Sequence, residues 1–208
     1  MIKNYKVKVC GITEEKNYFD LSKYPIDYYG FIFYKKSPRY ILNNPDHFFI
    51  KNIKNKVAVF VNEDIDTVIR ILEKYNFSYI QLHGDENFDY CMKLKKKGIK
   101  IINSYLLNKD DFIIEKTSIN SLSDLFLFDY KSQKYGGSGK SFDWNLLNNI
   151  KIDKPFFLSG GISLNNINNI NNIINKKFLY GLDLNSKFED SPGIKDISLI
   201  DKFFNLDL

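Results

Sequence analysis

Two side chains in this sequence stand where proton chemistry could be done, and each closes a short apolar strand. Lys6–Cys10 ends on a thiol, and Leu125–Asp129 ends on a carboxyl. A thiol near the start of the helix that opens at Glu14 and Glu15 can have a lowered pKa and act as a base. A carboxyl at the end of so apolar a strand is expected to be partly buried, which raises its pKa and keeps a proton for donation. Each has a plainer reading, an inert core thiol and an acid that caps the next loop. Arg39, in Ser37-Pro38-Arg39-Tyr40, offers a fork for a planar carboxylate, or is simply solvated. His83, in Gln81-Leu82-His83-Gly84, faces a pocket or satisfies the loop backbone. Asp183, in Gly181-Leu182-Asp183-Leu184-Asn185-Ser186, fixes a sugar hydroxyl or caps a helix. Gly160-Gly161 follows Phe156-Phe157-Leu158 and precedes Ser163, a helix-cap residue type. Its amides suit a phosphate, or the pair only makes a tight turn at positive φ. Cys91 sits mid-helix, three residues from Phe88 and from Leu94, and reads as core.

The elements that must position these groups alternate along the whole chain. Strands are predicted at Lys6–Cys10, Tyr28–Phe33, Lys56–Val61, Tyr79–Leu82, Lys100–Tyr105, Leu125–Asp129, Pro155–Ser159 and Leu179–Leu184. Helices are predicted near Glu15–Ser22, Asp46–Lys54, Asp64–Tyr75, Asn87–Lys97, Asp110–Thr117, Phe142–Ile150, Leu164–Ile174 and Ile197–Phe204. Ile65, Val68, Ile69 and Leu72 recur at helical spacing. In the Asn-rich stretch after strand seven, Leu164, Ile167, Ile170 and Ile174 form one apolar stripe. Eight strand–helix units make an α/β protein of the (β/α)8 TIM-barrel type, a single compact domain over residues 1–208. In such a barrel the C-terminal strand ends, where Cys10, Arg39, His83, Asp129, Gly160, Gly161 and Asp183 all lie, converge on one face.

The run Gly136-Gly137-Ser138-Gly139-Lys140-Ser141 invites a nucleotide-phosphate reading, but the required first glycine is replaced by Lys134. The run is read instead as a glycine-rich mobile loop between strand six and its helix. Of the 208 residues, 44% are hydrophobic and 26% charged, as in ordinary globular proteins. A net charge of +5 favours anionic small substrates without implying nucleic acid. The densest basic run, Lys93 to Lys100, is expected to be a solvated helix end closed by Gly98. Two cysteines build no disulfide framework, and no Cys/His cluster has zinc spacing. Neither a signal-peptide core nor a run of ~18 apolar residues is present, so the chain is expected in the reduced cytoplasm, away from membranes.

Taken in order, Lys8-Val9-Cys10-Gly11-Ile12-Thr13, Gly30-Phe31-Ile32-Phe33 with Ser37-Pro38-Arg39-Tyr40, Val59-Phe60-Val61-Asn62 and Gln81-Leu82-His83-Gly84-Asp85-Glu86 resemble phosphoribosylanthranilate isomerase. So do Asp129 with the loop through Phe142-Asp143-Trp144, Ser159-Gly160-Gly161-Ile162, and Ser191-Pro192-Gly193-Ile194-Lys195-Asp196. The resemblance implies an Amadori rearrangement of N-(5-phosphoribosyl)anthranilate without metal or organic cofactor, nitrogen being the electron sink. It implies that Asp129 is the general acid that opens the ribose ring and Cys10 the base that removes the C2 proton. By the same carry-over, Arg39 holds the anthranilate carboxylate and Asp183 a sugar hydroxyl. Gly160, Gly161 and Ser186 bind phosphate, and His83 and Asn185 complete the substrate site. The loop Gly136, Gly137, Ser138 and Gly139 closes over the phosphosugar, in a monomer or homodimer. The family usually has Ser-Gly-x-Glu where this chain has Ser186-Lys187-Phe188-Glu189. If that glycine needs positive φ, Lys187 is strained; otherwise its ammonium adds to phosphate attraction.

Two other readings remain. A histidine-pathway isomerase acting on a similar aminoaldose typically carries Asp where this chain has Cys10. A nucleotide- or nucleic-acid-binding α/β module would draw on the positive charge, against Lys134.

Overall fold

The computed structural model describes residues 4–107, 121–130 and 141–206. The helix expected at Asp110–Thr117 and the loop Gly136–Gly139 lie outside the described residues. Eight strands close in sequence order into a parallel barrel. They are β1 (Lys6–Cys10), β2 (Tyr28–Ile32), β3 (Lys56–Phe60), β4 (Tyr79–Leu82), β5 (Lys100–Leu107), β6 (Leu125–Tyr130), β7 (Phe156–Leu158) and β8 (Leu179–Leu184). The seam pairs β1 with β8, Lys8 opposite Asp183.

Period-two alternation sorts the strand residues into two layers. Val7, Val9, Phe31, Ala58, Phe60, Ile80, Leu82, Phe126, Phe128 and Leu182 join the large core that packs against the outer helices. Tyr28, Val57, Ile102, Leu125, Leu127 and Phe157 form a second core in the barrel's interior, with Tyr79 and Tyr180 against it. There Tyr28 meets Tyr79, Phe157 and Tyr180 ring to ring at 5.6–6.4 Å. The hydroxyls of Tyr28 and Tyr180 lie 2.8 Å apart.

Among the described residues, four α-helices flank the barrel: α1 (Glu15–Leu21), α2 (Ile65–Tyr75), α3 (Phe88–Lys96) and α4 (Ile197–Phe204). Asp64 caps α2 by accepting from the Thr67 amide, and Asn76 ends it in the left-handed conformation. Its buried face is Val68, Leu72 and Tyr75, with Ile65 and Ile69 half-buried. Gly98, at φ +75°, closes the turn after α3. In the basic run there, Lys95 pairs with Asp124 and Lys97 with Glu73. The cations thus serve a helix end and its neighbours, as expected.

Three segments expected as helices are short 3-10 helices instead: His47–Asn52, Trp144–Asn149 and Ile167–Asn172, the last followed by another at Ile174–Phe178. The third shows why. The repeated Asn-Asn-Ile puts an isoleucine at every third position, and a 3-10 helix has three residues per turn. Ile167, Ile170 and Ile173 are all at least 96% buried, so Ile173 belongs to the stripe. Asn's poor helix propensity removes the competing α form. Ser163 does not cap this segment; Asn166 turns back, accepting from the Ser163 amide and donating to the Gly161 carbonyl. An antiparallel hairpin, β9 (Glu189–Ser191) with β10 (Ile194–Lys195), was not expected; it follows the 3-10 turn Ser186–Phe188. Among the described residues no helix is long and apolar enough to cross a membrane.

Candidate active site

The inward positions at the C-terminal strand ends open into a pocket of about 760 Å³. Cys10, Arg39, His83, Asp129, Gly160, Gly161, Asp183, Asn185 and Ser186 all line it, with Lys187 beside them. The fold therefore gathers every expected site residue among the described ones.

Asp129 is 16% exposed at its side chain. Burial pushes its pKa up to about 7; the Tyr130 amide, which donates to Oδ1 at 2.7 Å, opposes this, while Asp183 adds to it. His83 stands across from it, Nε2 lying 3.6 Å from Oδ2, too far for a hydrogen bond. The imidazole is held from behind, Nδ1 lying 3.0 Å from Ser104 Oγ and 3.1 Å from Gln81 Nε2. His83 thus faces the pocket. A carboxyl raised to about 7 is suited to hold a proton for donation near neutral pH.

Cys10 is not the thiol of a helix N-terminus. It is 3% exposed, and burial raises its pKa; Lys8 and Lys195 pull the other way, while Asp183 adds to the rise. α1 begins only at Glu15, after Gly11 has turned the chain at φ +80°, so no helix end reaches the thiol. Gly30 is what lets the thiol sit here: a β-carbon on it would fall 2.7 Å from Cys10 Sγ. Cys91 is fully buried in α3, as core.

Three charged residues around the thiol went unforeseen. Lys8, fully buried, donates to Asp183 Oδ1 at 2.8 Å in the barrel interior. Asp183 therefore caps no helix. The pattern did contain a signal: in Val7-Lys8-Val9-Cys10, Lys8 has the same parity as Cys10 and must face inward with it. The second and third are Lys195 and Glu189. Glu189 takes two bonds from Arg39 Nε, at 2.8 and 3.1 Å, one from Nη2, and one from Lys195 Nζ. Arg39 is thus a buried, oriented fork and not a solvated one. Glu189 is held below the ordinary carboxylate range: burial pushes it up, but Arg39 and Lys195 outweigh that. Burial brings Lys195 down to about 8 against the pull of Glu189. Only the turn residues Pro192-Gly193 hinted that the chain folds back there.

Gly160 and Gly161 have φ of +81° and +67°, so the turn itself requires glycine, and their backbone borders the pocket. Lys187 lies in the 3-10 turn Ser186–Phe188 and is absent from the positive-φ residues, so it carries no such strain. Its side chain is exposed at the pocket rim. Among the described residues no three His, Cys, Asp or Glu side chains are grouped to hold a metal ion.

A closed parallel barrel places the chain among the (β/α)8 barrels, and the carboxyl, thiol and buried cations gathered at its C-terminal mouth are groups suited to proton transfer on an anionic molecule. Comparison with known proteins narrows this. The family model for N-(5'phosphoribosyl)anthranilate (PRA) isomerase matches residues 7–206. The N-(5'-phosphoribosyl)anthranilate isomerase of Parabacteroides distasonis is 39% identical over 203 residues, 95% of this chain and 90% of its own length. The crystal structure of the Thermotoga maritima isomerase superimposes with a TM-score of 0.78 at 30% identity, covering 96% of this chain and 97% of that one. Another isomerase structure, in complex with reduced 1-(o-carboxyphenylamino)-1-deoxyribulose 5-phosphate, gives 0.75 at 26% identity and covers 96% of each chain. The chain belongs to the N-(5'-phosphoribosyl)anthranilate isomerase family.

Proposed function

We propose that the chain converts N-(5-phosphoribosyl)anthranilate to 1-(2-carboxyphenylamino)-1-deoxyribulose 5-phosphate, the aldose–ketose step of tryptophan biosynthesis in the cytoplasm, with Asp129 as general acid and Cys10 as general base. The observation that carries the reading is a buried carboxyl, its pKa raised to about 7, and a thiol lining the same pocket. Asp129 gives its proton to the ribose ring oxygen, the bond from that oxygen to C1 breaks, and the nitrogen lone pair forms the iminium. The Cys10 thiolate then takes the C2 proton. The electrons of that bond form C1=C2, and the C=N pair returns to nitrogen, leaving an enolamine that tautomerises to the ketone. Each proton transfer contributes ~10²–10⁴-fold.

Arg39 receives the anthranilate carboxylate: the bonds to Glu189 use Nε and one hydrogen of Nη2, so Nη1 and the second Nη2 hydrogen can face the substrate. Asp183 holds a sugar hydroxyl, with His83 and Asn185 alongside. The Gly160, Gly161 and Ser186 backbone receives the phosphate, and Lys187 adds attraction at the rim. The relative solved with the reduced aminoketose phosphate supports this substrate class.

The test is turnover of freshly generated N-(5-phosphoribosyl)anthranilate, followed by loss of its fluorescence, in wild type and Cys10→Ala. Turnover by wild type and none by a folded Cys10→Ala is the expected result. A folded but inert wild type refutes the reaction; an active Cys10→Ala refutes the base.

A further inference from the structure

Burying a lysine completely is costly, and Lys8 is completely buried. On one side it is in register with Tyr28 of the interior aromatic core. On the other it is in register with Asp183 of β8, whose carboxylate lines the pocket. Nζ donates to Asp183 Oδ1 at 2.8 Å, and the two side chains are 0% and 5% exposed. Lys8 does not line the pocket itself, so its effect on a bound molecule passes through Asp183. A fold gains little from such a pair, since apolar side chains of similar volume in its place are often neutral or stabilising. Its worth lies in what it does to the carboxylate.

The other charged and titratable groups around the pocket are Cys10 on β1, Arg39 after β2, His83 after β4, Asp129 on β6 and Lys187 at the rim, with Glu189 and Lys195 on the hairpin behind Arg39. Arg39 and Lys195 are both bonded to Glu189. Among the described residues Lys8 is therefore the cation bonded to Asp183.

We propose that Lys8 is the positioning residue that fixes Asp183 as a hydroxyl acceptor: the ammonium holds Oδ1 and keeps the carboxylate charged, so that Oδ2 accepts from a sugar hydroxyl. The inference rests on Asp183 holding that hydroxyl. Without the cation, a carboxyl in this interior takes up a proton rather than stay charged and unpaired, and as an acid it is a poorer acceptor.

The experiment titrates reduced 1-(2-carboxyphenylamino)-1-deoxyribulose 5-phosphate, an unreactive form of the product, into wild type, Lys8→Met, Asp183→Asn and the double variant. Lys8→Met is expected to bind about 10- to 100-fold more weakly near neutral pH, as for one lost hydrogen bond to a charged group. Its deficit relative to wild type is expected to narrow from pH ~6 to ~9, as the carboxyl regains its charge. The deficit of Asp183→Asn, which cannot ionise there, is expected to stay flat. Packing damage alone would give Lys8→Met a flat deficit too. No deficit in folded Lys8→Met, or one that does not narrow, overturns the proposal. If Lys8→Met does not fold, the double variant decides, because it carries no unpaired charge. It is expected to bind no more weakly than Asp183→Asn, and a further loss overturns the proposal. Wild-type affinity in Asp183→Asn would instead sink the hydroxyl role of Asp183, and a folded wild type that does not bind would sink the substrate itself.

Discussion

Replacing Gly30 with alanine tests how tightly the barrel wall sets the position of the base. Gly30 is not among the positive-φ glycines, so the backbone itself accepts alanine. The new methyl is the whole perturbation. It would lie 2.7 Å from Cys10 Sγ, 3.0 Å from its Cα and 3.1 Å from its Cβ, where ordinary contacts begin near 3.4 Å. The thiol must therefore retreat by about 0.7 Å, and it has little room, since Gly30 is in register with Cys10 on one side and Val57 on the other. Overpacking of this kind costs ~1–3 kcal/mol, offset by ~0.4–1 kcal/mol from the stiffer unfolded chain. A base displaced by most of an ångström loses roughly 10- to 100-fold in kcat. Steady-state kinetics and thermal unfolding on the same preparation read both. Unchanged kcat in Gly30→Ala would refute the argument, because it would mean that the wall does not fix the thiol.

Two further substitutions probe the acid and the second thiol. Asp129→Asn should lower kcat by ~10²–10⁴-fold while leaving the fold intact. It should also stabilise the protein at high pH. Folding raises this carboxyl from 3.8 to about 7, so the unfolded chain binds fewer protons between those values. The resulting penalty is absent below the lower value, grows through the window and is complete above the upper one, at ~4 kcal/mol. Tm of Asp129→Asn should exceed wild type near pH ~8 and converge with it near pH ~3.5; equal Tm at both would contradict the burial argument. Cys91→Ala should cost ~1 kcal/mol in urea unfolding with turnover untouched; a fall in kcat would show that α3 reaches the site.

The barrel could be read from the chain because its strands alternate strictly, and the strand ends deliver the site residues by register alone. The outer layer was less legible. A periodicity of three isoleucines over nine residues satisfies a helix of either kind, and only the packing of Ile173 decides for the 3-10 form. The electrostatics of Cys10 were misjudged for a different reason. Nearness to Glu14 and Glu15 in sequence suggested a helix terminus, whereas the charges that act on the thiol arrive from Lys8 across one pleat and from Lys195 far along the chain. Arg39 showed its residue type in the sequence but not its partner, since Glu189 lies 150 residues away.

The ring of tyrosines and Phe157 beneath Lys8 also makes the pocket a blind well. Tyr28, Tyr79, Phe157 and Tyr180 close the barrel's lower bore, so among the described residues the upper mouth is the way in and out. Product must leave by the route through which substrate arrives, and one cannot displace the other from behind. Each turnover therefore includes an empty interval, and accumulated product competes directly with fresh substrate for the same doorway.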